Sequence, residues 1–122
     1  MSKIVIAANA MIANQSRISN VLPGDNDNEV FFLFDRKYKW SAIKRADQHY
    51  ALFYYPGRQT IESLAGMRRE DWAEFSHMVS YNSKDIGTKE SLDTFRDLYV
   101  LVNGMKYGME QVLDDIIESA DF

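Results

Sequence analysis

The chain has 122 residues, with 14 Lys plus Arg against 18 Asp plus Glu, a formal net charge of -4 and no cysteine. That length suits one domain over 1–122, and 46% apolar with 26% charged residues is a globular composition rather than a disordered one. The missing cysteine excludes disulfides, thiolate nucleophiles and cysteine-held zinc or iron–sulfur centres, and no run reaches the ~18 apolar residues of a membrane span.

Residues 3–8, Lys-Ile-Val-Ile-Ala-Ala, are β-branched and small, and read as a buried strand. Lys3, the short apolar run and an Ala-x-Ala mimic a secretory signal, but the run is too short and Asn9 interrupts it. Residues 9–22 fit a loose helix or an extended segment equally well, with Met11, Ile12, Ile18, Val21 and Leu22 as their apolar positions. Pro23-Gly24-Asp25-Asn26-Asp27-Asn28 is a loop built of turn formers.

A β-meander follows. Residues 29–34 predict a strand buried on both faces, and Asp35-Arg36-Lys37 a tight connection. Over 38–44, Tyr38, Trp40 and Ala42 share one face, and Lys39, Ser41 and Ile43 the other. Arg45-Ala46-Asp47-Gln48 turns the chain, and over 49–55 Tyr50, Leu52 and Tyr54 alternate with Ala51, Phe53 and Tyr55. Aromatic-rich neighbours of this kind suit cross-strand pairing.

After Pro56-Gly57 the pattern turns helical. Thr60 caps a short helix over 61–66 closed by Gly66. Trp72, Phe75, Met78 and Val79 predict a second helix over about 70–81, residues 82–87 a loop, and Thr88 the cap of a third helix. In that third helix, over about 89–118, Phe95, Leu98, Val102, Met105, Met109, Val112 and Ile116 recur at alternating spacings of 3 and 4, a heptad seam. Leu92, Tyr99, Leu113 and Ile117 widen the stripe. Its length would be roughly 45 Å, more than a small domain spans, so the seam is expected to serve as an oligomer interface over at least part of its course. Gly104 and Gly108 lie i, i+4 and mark either a close contact with another helix or ligand, or a break between two helices. The architecture expected is α+β: an N-terminal antiparallel meander of three to four strands, then two short helices and one long C-terminal helix packed on one face.

Charge is uneven. Residues 36–58 hold six basic residues against Asp47 alone, a net of +5, whereas 1–35 sum to -2 and 59–122 to -7. The last fourteen residues carry Glu110, Asp114, Asp115, Glu118 and Asp121 with no cation, at a helix end where the macrodipole disfavours negative charge. The basic segment is therefore either a ligand site or an internal partner for those carboxylates.

Catalytic motifs are few. Asp25-Asn26-Asp27-Asn28-Glu29 alternates oxygen ligands, but an EF-hand starting at Asp25 needs Gly at its sixth position and Glu at its twelfth, where this chain has Val30 and Arg36. No metal site or cofactor is predicted. His49-Tyr50-Ala51 and His77-Met78-Val79 lack the hydroxyl of a two-histidine phosphoesterase, and Ser76-His77 are only sequence neighbours. No phosphate-binding Gly loop, metalloprotease motif or nucleophile elbow occurs. Nothing here requires an enzyme.

Three functional readings follow. The first is a cytoplasmic, non-enzymatic homo-oligomer that captures or sequesters a small anionic, nucleotide-type ligand. Arg36, Lys37, Lys39, Lys44 and Arg45 would meet phosphate, while Tyr38, Trp40 or Tyr54 stacks on a base; Gly104 and Gly108 would add a contact surface. An acidic chain with one local basic patch suits a nucleotide better than an extended nucleic acid. The second is a protein–protein inhibitor or adaptor, of the anti-defence or immunity kind, docking through the aromatic meander or the acidic helix. The third is a small phosphodiesterase or nuclease using His49 with Lys44 or Arg45.

Overall fold

A computed structural model describes residues 2–72, 78–106 and 108–120. Its centre is a five-stranded antiparallel sheet in the order β1-β2-β3-β4-β5, formed by β1 (Ile18–Pro23), β2 (Glu29–Phe34), β3 (Tyr38–Lys44), β4 (Tyr50–Tyr54) and β5 (Val79–Asn82). The architecture is α+β, with the long helix α5 (Lys89–Met105) on one face of that sheet.

The meander forms because alternation places apolar side chains on both faces. Val30 and Phe32 of β2, Ala42 of β3, and Tyr50 and Leu52 of β4 point to one side. There they meet Phe95, Leu98, Tyr99 and Val102 of α5, and Ile4, Val5, Ala8 and Met11 of α1 (Lys3–Ala13). Phe31 and Tyr55 point to the other side and are covered by Ile61, Leu64 and Ala65 of α2 (Ile61–Ala65), with Trp72 of α3 (Arg69–Trp72) packed alongside. The sheet thus lies between two apolar layers, as the two-sided reading of residues 29–34 requires.

The first element differs from expectation. Residues 3–8 are not a strand but the start of α1, and the ambiguous stretch 9–22 divides into the end of α1, a 3-10 turn (Gln15–Arg17) and β1. The buried positions 4, 5, 8 and 11 follow helical rather than alternating spacing, and four alanines between 7 and 13 supply the helix propensity that Ile and Val lack. Residues 78–82 also depart from the expected helix: Val79 opens β5, which pairs with β4 from Ala51↔Asn82 to Tyr54↔Val79. Phe75 and His77 lie outside the described residues. The expected loop at 82–87 contains α4 (Ser83–Ile86), capped by the Asn82 side chain and ended by Gly87 at φ +75°.

The helix caps follow the sequence. Thr60 Oγ1 accepts the Ser63 N–H and Thr88 Oγ1 accepts the Ser91 N–H, both at 3.1 Å. The single long helix does not form. α5 ends at Met105, and α6 (Met109–Ser119) starts after Gly108, whose φ of +62° is the left-handed conformation that ends a helix. Gly104 stays inside α5, and among the described residues a Cβ added at Gly104 or Gly108 would meet nothing within 4 Å, so neither glycine is a close-approach point to them.

Candidate functional site

The predicted ligand residues are placed by the geometry of β3. Arg36 and Lys37 occupy the β2–β3 turn, while Lys44 and Arg45 sit at the far end of β3. Seven residues of strand at ~3.3 Å each separate Lys37 from Lys44 by about 23 Å. One nucleotide cannot span both cation groups, so the single basic-aromatic site expected from the sequence divides in two.

At the turn end, Asp35 and Arg36 both have positive φ, +55° and +61°, with the Lys37 N–H donating to the Phe34 carbonyl at 3.3 Å. This is the hairpin conformation usually taken by Asn-Gly. Arg17 holds it: Nε and Nη2 both donate to the Asp35 carboxylate, and the Asp35 N–H returns to the Arg17 carbonyl at 3.0 Å. That bidentate bond keeps the Asp35 carboxyl below the usual aspartate range and raises the Arg17 guanidinium. Lys37 lies over the Tyr38 ring at 4.8 Å.

Lys39 is not available to a phosphate. Its Nζ donates to the carbonyls of Gly57 and Gln59, pinning the chain before α2. Trp40 and Tyr54 are half-buried and pack on each other, centroids 5.1 Å apart, on the face shared with α1 and α5. At the other end Arg45 lies over Phe53 at 5.7 Å. His49 Nδ1 shares a hydrogen bond of 2.9 Å with Ser83 Oγ, which is buried and also accepts the Tyr50 N–H at 3.1 Å. This pair ties α4 to the sheet.

The predicted oligomer interface also divides. Phe95, Leu98 and Val102 are 0% exposed inside the chain and Met105 packs against the same core, so this half of the seam is intramolecular. Val112, Leu113, Ile116 and Ile117 of α6 are between 42% and 59% exposed. The Met109 side chain lies outside the described residues.

The third feature joins the Asp25–Glu29 segment, weighed above only as calcium ligands, to Trp72. A cleft of about 400 Å³ is lined by Asp25, Asn26, Glu29 and Trp72. The turn of residues 23–28 is set by the Gly24 N–H on the Glu29 carbonyl at 3.1 Å and by the Asn28 N–H on Asn26 Oδ1 at 2.9 Å. Gly24 lies against Phe31; a Cβ there would stand 2.8 Å from its ring. Phe31, Tyr55 and Trp72 form one aromatic group, with centroids 5.8 to 6.0 Å apart. Within it runs a polar chain: Ser41 Oγ lies 2.8 Å from both Glu29 Oε2 and Tyr55 Oη. Because Ser41 has one proton to give and Glu29 accepts it, Tyr55 donates to Ser41. Burial pushes the Tyr55 hydroxyl up, with the Glu29 charge adding to it, which keeps it a donor. Burial likewise pushes the Glu29 carboxyl up, against the opposing effects of the Ser41 bond and the Arg45 charge. The signal was present in the sequence: Glu29 opens a strand otherwise wholly apolar, in phase with Phe31.

Among the described residues no helix is long and apolar enough to cross a membrane. Compared with protein-family models, curated proteins and solved structures, the chain matches none.

Proposed function

We propose that the protein is a non-enzymatic adaptor or inhibitor, acting in the cytoplasm, that holds a protein partner through α6. The observation that carries this reading is the aliphatic stripe Val112, Leu113, Ile116 and Ile117, exposed on a helix whose sequence carries Glu110, Asp114, Asp115 and Glu118. Burying the exposed part of these side chains is worth about 1 kcal/mol each. The partner surface suited to it is an apolar groove rimmed by Lys and Arg. Self-pairing of α6 is disfavoured, because it would line one seam with the acidic residues of both copies.

A photo-crosslinking amino acid at position 113, installed in cells of the natural source, tests this. The expected result is an adduct with one protein of defined mass, lost when Val112 and Ile116 are both changed to Asp. An adduct of two copies of this chain would replace the reading with a homo-oligomer, and no adduct would refute it.

One observation favours a second reading, capture of a small phosphorylated ligand. Arg36 and Lys37 project from the same turn, beside a recess of about 300 Å³ that also reaches Thr60. Titration with mono-, di- and cyclic nucleotides, followed by the amide resonances of residues 35–38, tests it; no saturable shift would remove it.

A further inference from the structure

We propose that the cleft between the 24–28 turn and Trp72 is a binding site for a guanidinium group, presented by a small arginine-like cation or by an arginine side chain. It is separate from α6 and does not depend on how α6 is used.

The lining supplies what that group needs. Glu29 and Asp25 are carboxylates, Asn26 adds an amide, and Trp72 an aromatic surface. A guanidinium is planar, weakly hydrated and five-donor; it pairs with carboxylates and stacks on indole, where a compact, strongly hydrated ammonium does less well. A volume of about 400 Å³ is in the range of small-ligand sites and takes a side chain of this size.

Glu29 is the informative residue. A carboxylate largely removed from water is costly unless paired, yet its direct side-chain bond is with the neutral Ser41 hydroxyl. The Arg45 charge also favours the carboxylate, but Arg45 lies over the Phe53 ring and makes no ion-pair contact with Glu29 among the described residues. The carboxylate is nevertheless held in one orientation, since Tyr55 fixes Ser41 and Ser41 fixes Glu29. An acceptor oriented by a buried relay, without an ion pair among the described residues and lining an open cleft, is pre-organised for a cationic guest.

The test uses the full chain and its two tryptophans, Trp40 and Trp72, as indole N–H resonances assigned by a Trp72→Phe variant. The probes are agmatine, N-acetyl-arginine amide and a Gly-Arg-Gly peptide amide, with N-acetyl-citrulline amide as the neutral isostere. The expected result is a saturable shift of the Trp72 resonance with the three cations, none with citrulline, and no saturable shift at Trp40. Glu29→Gln should weaken binding about tenfold, since it removes the buried partner charge. Asp25→Asn, on the exposed turn, should weaken it about threefold, and decides the matter should Glu29→Gln fail to fold. Equal affinity for agmatine and the peptide identifies a free small cation. A peptide at least about tenfold tighter identifies a protein-borne arginine. Citrulline binding like arginine, an absent or non-saturating shift at Trp72, wild-type affinity in a folded Glu29→Gln or, should that variant fail to fold, wild-type affinity in Asp25→Asn would overturn the proposal.

Discussion

Leu98→Ala and Ile116→Ala remove the same three carbons from two positions of one heptad pattern, so their comparison isolates burial. Leu98 is 0% exposed among Phe95, Val102 and the sheet, whereas Ile116 is 59% exposed on α6. At ~0.8 kcal/mol per methylene the lost transfer energy at Leu98 is about 2.4 kcal/mol, and the cavity brings the cost to about 3 kcal/mol. At Ile116 less than half of that transfer term applies and no cavity forms, which leaves about 1 kcal/mol or less. With an unfolding entropy of ~2.1 cal/mol/K per residue, a chain of this length loses about 12 °C in Tm at Leu98 and no more than about 4 °C at Ile116. Circular dichroism melts at two protein concentrations provide the assay. A loss at Ile116 equal to that at Leu98 would refute the exposed placement of the stripe. If that loss also scaled with protein concentration, the cover would be a second copy.

Glu29→Gln should make the protein more stable at neutral pH. The native carboxyl titrates above the ordinary glutamate value because it is buried. The native state therefore binds that proton more tightly, and stability falls as pH rises through the raised native value. Urea midpoints should show this fall in the wild type and not in the variant; parallel profiles would refute it. Asp35 has the opposite sign, its carboxyl lowered by Arg17, so its contribution is present at neutral pH and lost as pH falls through that lowered value. Lys39→Met strips two carbonyls, those of Gly57 and Gln59, of a charged donor. It should cost about 2 kcal/mol and speed amide exchange at Leu64, which bonds to Thr60; an unchanged melt would show that water replaces the lysine.

The meander and the caps were legible because their signals are local. Alternation over 38–44 and 50–54, turn chemistry at 35–37 and 45–48, and the threonines at 60 and 88 need no knowledge of distant residues. α1 was misread because Ile4, Val5 and Ile6 favour a strand locally, whereas the helix is held by packing on α5, as in the Thr94 Oγ1 bond to Asn9 Oδ1. β5 was hidden for a related reason: four residues carry too little pattern, and pairing with β4 decides them. The break after Met105 was legible only as an alternative, since a glycine in a helical pattern does not state whether its φ will be positive. Gly108 takes the left-handed conformation and Gly104 does not.

Sequence clustering and spatial clustering part company in a strand. Six basic residues within 36–58 look like one patch, but an extended chain spreads neighbours along its length and turns them to opposite faces. Lys39 therefore goes to the α2 side, Trp40 to the α5 side, and Arg45 to the far end. The reverse holds for Glu29, Ser41 and Tyr55, which are 12 to 26 residues apart in sequence and meet within hydrogen-bond distance. Register explains it: Phe31 pairs with Ser41 and Ser41 with Phe53, so odd positions of β2, β3 and β4 share the face that α2 covers. Once that face is apolar, a carboxylate in phase with it must be neutralised, internally bonded or matched from outside. Ser41 and Tyr55 meet the second requirement only in part, by orienting one oxygen without supplying a charge. Arg45 adds charge without an ion-pair contact, and the cleft beside Trp72 is where the cation proposed above would reach Glu29.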